Sequence, residues 1–323
     1  MLKLKPAALA ATLFAVCGSA VGQDYPNRPL RLVIPFAPGG ASDFVGRIIQ
    51  PAFTARLAQQ VVIDNRGGAA GNIGVEVVAR ATADGYTLLL GNVGTMAINP
   101  VYYTKFQYRP LKDLSPITQL VDVPGSLVVH PSIPSKTVKE FVSHLKANPG
   151  KLNYGAAAPS SANTLEALMF LSMTGTTATQ VPYKGGAGPA TIGLLANEVQ
   201  FSFTTFTSTM PFAKQGRLRM LAIIAPERSK ALPDVPTMRE GGFDMVVGSW
   251  QGLFAPAGAP AVVVNTLYKA SLDAMRDPGV AGKLGDSGVT ITTSKSPADF
   301  IAFVKAETER FGKAIRDANI QTE

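Results

Sequence analysis

Hydrophobic and polar positions along this chain follow two periods. Short apolar runs such as Leu30 to Phe36 and Tyr86 to Leu90, bounded by Gly or Pro, predict buried strands. Val61 to Ile63, Leu152 to Ala156, Val181 to Tyr183, Gln200 to Phe203 and Leu218 to Ile224 read the same way. Between them, apolar residues recur three and four apart. Val45, Ile48, Ile49, Ala52 and Phe53 form one such face, and Val138, Phe141, Val142 and Leu145 another. Strands alternating with helices predict an α/β architecture with largely parallel strands.

Turn and cap signals sharpen this pattern. Thr137 and Glu140 form a capping box, Asn148-Pro149-Gly150 ends that helix, and Ser296 caps a terminal helix with Pro297 at its first position. Pro51 lies inside the first helical pattern and predicts a kink or an early end there. Three glycine turns follow strands: Ala37 to Gly40, Gly67 to Gly74 and Gly91 to Thr95. A second series after Leu120 repeats the plan, with turns at Pro159 to Asn163, at Lys184-Gly185-Gly186 and in a threonine-rich segment from Thr204 to Thr209. In open parallel sheets, ligands bind beyond the carboxyl ends of the strands, where such turns lie.

The chain has 323 residues, 46% hydrophobic and 16% charged. That length exceeds what one core usually serves and predicts two globular domains. Residues 1–22 read as a cleaved signal peptide: Lys3 and Lys5, an apolar run from Ala7 to Val16, then small residues from Gly18 to Gly22. The run is shorter than the roughly 20 apolar residues that span a bilayer. Cys17 offers lipid attachment as an alternative, against which stands the bulky Val16. Cleavage near Gly22 removes the single cysteine, and with it disulfides, a thiol nucleophile and cysteine-ligated zinc. Only His130 and His144 are present, too few for a histidine-rich metal site, and a structural role is expected for both. The hydrolase elbow, the dinucleotide fingerprint and the Walker ending are absent, so the expectation is no enzyme, no cofactor and no metal. Carboxylates paired by folding would leave no mark in the sequence. The net charge is +8, but Lys and Arg are scattered singly without a basic stripe. Nucleic-acid binding is therefore not expected, and a general attraction for anions is.

The chemistry on offer is that of backbone amides. The first amides of a helix lack intrahelical acceptors and carry the positive end of its dipole. Gly39 and Gly40 would let an anion approach the main chain closely. Asp43, three residues later, reads as an organiser of that loop. Lys184 has two readings: pairing with a ligand carboxylate, or lying solvated on a cleft rim.

A series of motifs carries a resemblance. Tyr25-Pro26-Asn27-Arg28-Pro29-Leu30-Arg31, Pro35 to Asp43, Asp64-Asn65-Arg66, Asp84 to Leu89, Asn99-Pro100, Asn148 to Gly155, Val181 to Gly186, Leu232 to Thr237 and Ala255 to Gly258 stand in order along the chain. Together they resemble the Bug/TctC solute receptors of tripartite tricarboxylate transporters. The resemblance implies a two-lobed α/β periplasmic binding protein, type 2-like, closing as a flytrap on a cleft between two α/β domains. It implies a discontinuous first domain, residues 24–122 plus 251–323, and a second of residues 123–250. It implies a monomeric periplasmic receptor for a small organic carboxylate, held largely by main-chain amides and water and passed to integral-membrane permease subunits. An orphan or sensory receptor reporting to a periplasmic sensor domain is the alternative, and an enzyme on the same scaffold the more remote one.

By the same analogy the ligand-binding residues are Phe36, Ala37, Gly39, Gly40, Ser42, Asp43, Gly94, Thr95, Ala157, Ala158, Ser160, Tyr183, Lys184, Gly185, Thr204 and Thr205. Two departures shape the expected ligand. Thr204-Thr205 stand where many relatives carry Asp-Asn, which removes an acceptor for an ammonium group and implies a ligand without one. Ala156-Ala157-Ala158 with Pro159 replace serine and glycine, which implies a more apolar pocket suited to a bulkier or aromatic acid.

Overall fold

In the computed structural model, residues 25–323 are described apart from 104, 106, 107, 158, 159, 185, 246, 247, 318, 319, 321 and 323. Residues 1–22, read above as a signal peptide, therefore lie outside the described residues. The chain opens with β1 (Leu30–Ile34), α1 (Ala41–Leu57), β2 (Val61–Asn65), α2 (Asn72–Ala79), β3 (Thr87–Asn92), short α3 (Asn99–Tyr102) and α4 (Pro110–Asp113), and β4 (Leu114–Val123). Next come β5 (Gly125–Val129), α5 (Val138–Ala147), β6 (Asn153–Ala156), α6 (Ala162–Thr174), β7 (Thr179–Pro182), α7 (Ala187–Leu195), β8 (Phe201–Thr205), α8 (Phe206–Lys214) and β9 (Arg219–Ile224). It closes with β10 (Ser249–Pro256), α9 (Ala261–Met275), α10 (Pro278–Asp286), β11 (Thr290–Ile291) and α11 (Pro297–Asp317).

These strands form two sheets, in the orders β11-β4-β10-β3-β1-β2 and β7-β6-β8-β5-β9. In the first, β2, β1 and β3 are parallel and β10 runs antiparallel to both β3 and β4. In the second, β7, β6 and β8 are parallel and β5 runs antiparallel to β8 and β9. The plan repeats as expected, but both sheets are mixed rather than largely parallel. The reason is that β5 and β10 each arrive from the other sheet and enter between two resident strands. Only Pro124 separates β4 from β5, and the return runs from Ile224 to Ser249, where Gly248 adopts φ 120° beside the carbonyls of Val123 and Ile224.

Strand alternation divides the core by sheet face. Leu30, Leu32, Ile34, Leu88 and Leu90 pack against α1, α9 and α10, whereas Val33, Leu89, Trp250 and Phe254 pack against α2 and α11. Phe201 and Phe203 face α5 and α6, and Val128 faces α7 and α8. Ala162 and Leu165 of α6 belong to the cluster under the first sheet, so this helix packs across the junction.

Two local expectations change. α1 does not end at Pro51 but continues to Leu57. Pro51 and Arg47 are both exposed, so the carbonyl that loses its helical donor is on the solvated side. The threonine-rich segment is no loop: Thr204 and Thr205 complete β8, and Phe206 starts α8 with no intervening turn. The capping signals match their helices. Thr137 Oγ1 accepts from Glu140 N at 3.1 Å, Glu140 reaches back to Lys136 N, and Ser296 Oγ accepts from Asp299 N.

Candidate ligand-binding site

The strands β1, β3, β6 and β7 all end on one cavity of about 790 Å³ between the two sheets. Its wall on the first side begins at Phe36, just past β1. It continues through Gly68 to Asn72, a turn in which Gly68, Ala69, Ala70 and Gly71 all have positive φ, at 127°, 46°, 54° and 92°. Left-handed alanines are strained, and they persist only where neighbours hold them. The neighbour here is Asn99. Its Nδ2 donates to Ala70 O at 3.1 Å and to Asn72 Oδ1 at 2.6 Å. Tyr108, buried below, donates its hydroxyl to Thr95 O at 2.8 Å and to Asn72 Oδ1. Glycine is required at 71, where a Cβ would stand 2.6 Å from the Thr95 methyl and 3.3 Å from Pro35 O.

The segment after β3 also differs from the expected glycine turn. Gly94 to Ile98 form a single π-helical turn, with Asn92 Oδ1 accepting from Thr95 N at 3.1 Å. Gly94 lines the cavity, and Thr95 is fully buried behind it.

From the second side come Ala157, Ser160 and the start of α6, together with Tyr183 and Lys184 after β7. Ser161 caps α6 by accepting from Thr164 N. Tyr183 turns its hydroxyl to Glu198 at 2.9 Å, and burial together with that carboxylate pushes the phenol up to about 12. It therefore stays protonated at neutral pH. The two sides touch at both rims. Ser160 Oγ donates to Asn99 Oδ1 at 2.6 Å on one rim. On the other, Gly188 lies so close to Pro38 and Gly39 that a Cβ would stand 3.3 to 3.5 Å from their backbone atoms.

Six of the expected residues thus line the cavity: Phe36, Gly94, Ala157, Ser160, Tyr183 and Lys184. Ala37, Gly39, Gly40, Ser42, Asp43, Thr95, Thr204 and Thr205 are not among its lining residues. Ala158 and Gly185 lie outside the described residues. Asp43 Oδ2 accepts from Gly39 N at 3.1 Å and from Arg47 Nε at 2.9 Å. Burial pushes this carboxyl up, but the bonds from Arg47 and Gly39 outweigh it and hold it below the ordinary range. Sequence reasoning missed Ala69, Ala70, Asn72, Lys105 and Asn163 as lining residues. The flanking Gly67-Gly68 and Gly71 were the available signal for the first two. Lys105 and Lys184 are exposed cations at the cavity, and Glu76 is its acid. Among the described residues no cluster of His, Cys, Asp or Glu fits a metal ion, and no helix is long and apolar enough to cross a membrane.

Residues 45–320 match the model of the tripartite tricarboxylate transporter family receptor, TctC. The chain belongs to this family. The receptor is 32% identical to the protein BugT of Bordetella pertussis over 295 residues, covering 91% of this chain and 90% of BugT. Two solved structures are also similar. R. palustris Rpa4515, solved with adipate, shares 33% identity at a TM-score of 0.89, covering 92% of this chain and 99% of that one. MatC from Rhodopseudomonas palustris, with bound malate, shares 32% identity at a TM-score of 0.85, covering 90% and 100%. The two-lobed α/β architecture is that of these binding proteins.

Proposed function

We propose that this receptor captures a small organic carboxylate between its lobes in the periplasm, after export with cleavage of its signal peptide, and delivers it to the membrane subunits of a tripartite permease. The observation that carries the reading is the cavity itself: strand ends and the start of α6 surround it, two lysines flank it, and contacts between its two sides stand at Ser160–Asn99 and at Gly188–Gly39. A helix start and lysine side chains favour an anion. The apolar share of the wall, from Phe36, Ala69, Ala70, Ile73 and Ala157, suits a ligand with a hydrocarbon body. Adipate and malate in the related receptors support a dicarboxylate. The lobes on this reading are residues 24–122 with 251–323, and residues 123–250. The preference for a ligand without an ammonium group rests on the departure of Thr204-Thr205 from relatives and not on contact, since neither residue lines the cavity.

Closure follows from contacts that a ligand completes only when both lobes reach it. Thermal melts against aliphatic dicarboxylates, aromatic acids, aspartate and glutamate test this. A ligand at 100 times its Kd stabilises by about 2.7 kcal/mol, so a binder raises Tm by several degrees. The expected binders are acids without an amino group, with compaction in small-angle scattering on addition. A panel in which no carboxylate raises Tm, or a binder that leaves the scattering unchanged, overturns the reading.

A further inference from the structure

Glu166 is a carboxyl that the binding reading leaves without a task. It sits in the second turn of α6 and is 0% exposed. Asn163 Nδ2 donates to its Oε2 at 3.1 Å, and Oε1 has no partner among the described residues. Asn163 itself lines the cavity. On its other side the carboxyl lies against Gly125, the first residue after the Pro124 crossover. A Cβ at 125 would stand 2.6 Å from Oε1 and 2.8 Å from Oε2, so any side chain there must displace the carboxyl. One carboxyl therefore touches both a cavity residue and the strand that joins the lobes.

We propose that Glu166 is a positioning residue for the cleft: as a neutral acid it holds Asn163 in the cavity wall and seats α6 on the crossover, and loss of its proton weakens binding of an anionic ligand. The proposal rests on the carboxylate reading for its ligand effect, but not for its effect on Asn163.

The surroundings explain why the proton matters. Burial pushes the carboxyl up to about 8, against the opposing hydrogen bond from Asn163. Among the described residues no cation pairs with it. α6, β5 and β8 carry no other ionisable side chain, and β6 carries only Tyr154. Lys139, Glu140 and Lys146 of α5 are exposed and His144 partly so. Arg228 pairs with Glu240, and Arg239 with Asp244. Toward the first sheet stand two more acids, Asp122, bonded to Gln119 and Thr292, and Glu307, bonded to Trp250 and Arg310. The cavity contributes Glu76, Lys105 and Lys184. As a neutral acid, Glu166 keeps Oε2 as the acceptor for Asn163 and leaves only an uncharged hydroxyl to be accommodated against Gly125. As an anion it repels a carboxylate in the cavity and draws water toward a dry junction, which favours separation of α6 from the crossover.

The test uses malate and adipate as probes, with calorimetric affinities at pH 6 to 9.5 for the wild type and Glu166→Gln. The substituted amide keeps an acceptor for Asn163 and carries no charge at any pH. For the wild type, affinity should fall about tenfold or more as pH rises through about 8, and for Glu166→Gln it should stay flat apart from lysine titration shared by both. In the ligand-free wild type, the Asn163 side-chain amide resonances, assigned with Asn163→Ala, should titrate over the same range and should not move in Glu166→Gln. Equal pH slopes for the two proteins, or an Asn163 amide that does not titrate in the wild type, overturn the inference while leaving the receptor reading intact. If neither acid binds at any pH but the amide titrates only in the wild type, the choice of ligand fails and the positioning of Asn163 by Glu166 stands.

Discussion

Gly39 and Gly40 are neighbours with different demands. Gly39 has φ 89° and donates its amide to Asp43, whereas Gly40 has φ −86° and serves as the N-cap of α1. A side chain at 39 is penalised by about 1–2 kcal/mol for a left-handed backbone, although nothing crowds it within 4 Å. Gly39→Ala should therefore lower stability in urea unfolding by that amount, and Gly40→Ala should lower it less, by the smaller preference of an N-cap for glycine over alanine. Equal losses at both positions would contradict this division. The pair was visible in the sequence as a tight turn, but two identical letters do not reveal which one bears the positive φ. Ala69 and Ala70 were harder still. Nothing in an alanine advertises a left-handed conformation, because its cost is met by Asn99, about 30 residues away.

At the scale of elements, Asn99 holds three pieces together: the Ala69–Gly71 turn, the start of α2 and, through Ser160, the approach to α6. Removing it loses three hydrogen bonds, each worth about 0.5–1.5 kcal/mol, although Asn72 Oδ1 keeps Tyr108 and Ser160 Oγ keeps Tyr103. Asn99→Ala should thus destabilise the protein by at least about 2 kcal/mol. Ser160→Ala leaves the buried Asn99 Oδ1 without its donor, so it should lower stability by about 1–3 kcal/mol and weaken ligand affinity as well, because the bond spans the two sides of the cavity. Differential scanning calorimetry beside binding measurements separates the two; a Ser160→Ala protein with unchanged affinity would remove the rim bond from the closure mechanism. Capped helices were legible because caps are local, as Thr137 and Ser296 show. The α8 helix was hidden by its threonines, which read as loop until Phe206 and Met210 are seen buried between sheet and helix. The mixed sheets were illegible for a related reason: strand direction depends on which sheet a strand enters, and no residue of β5 or β10 encodes that locally.

For the whole molecule, Glu166 ties stability to pH with a definite sign. Its carboxyl ordinarily titrates at 4.5 and in the fold near 8, so between those values the folded chain keeps a proton that the unfolded chain releases. Its contribution is full below about 4.5, is lost as pH rises to about 8 and is level above, at most about 1.4 kcal/mol per unit. Asp43, held below its ordinary 3.8, acts in the opposite direction and only in acid. Urea unfolding of the wild type minus that of Glu166→Gln, at half-unit steps from pH 5 to 9, should show this slope and then a plateau; a flat difference would deny the buried proton.

The strand orders also impose a timetable on a chain made from its N-terminus. The five-stranded sheet draws every strand from one stretch, Gly125 to Ile224, and can be completed as soon as that stretch is available. The six-stranded sheet cannot. β2, β1 and β3 can pair early, but β3 and β4 are held apart by β10, whose last residue is Pro256, so the free edge of β3 and the whole of β4 wait for it. Until then β3 and β4 each present an unpaired edge rich in Leu and Val, the kind of surface that recruits other chains. The lobe that begins the sequence is thus the one finished last, and its early strands are where a holding chaperone has most to protect.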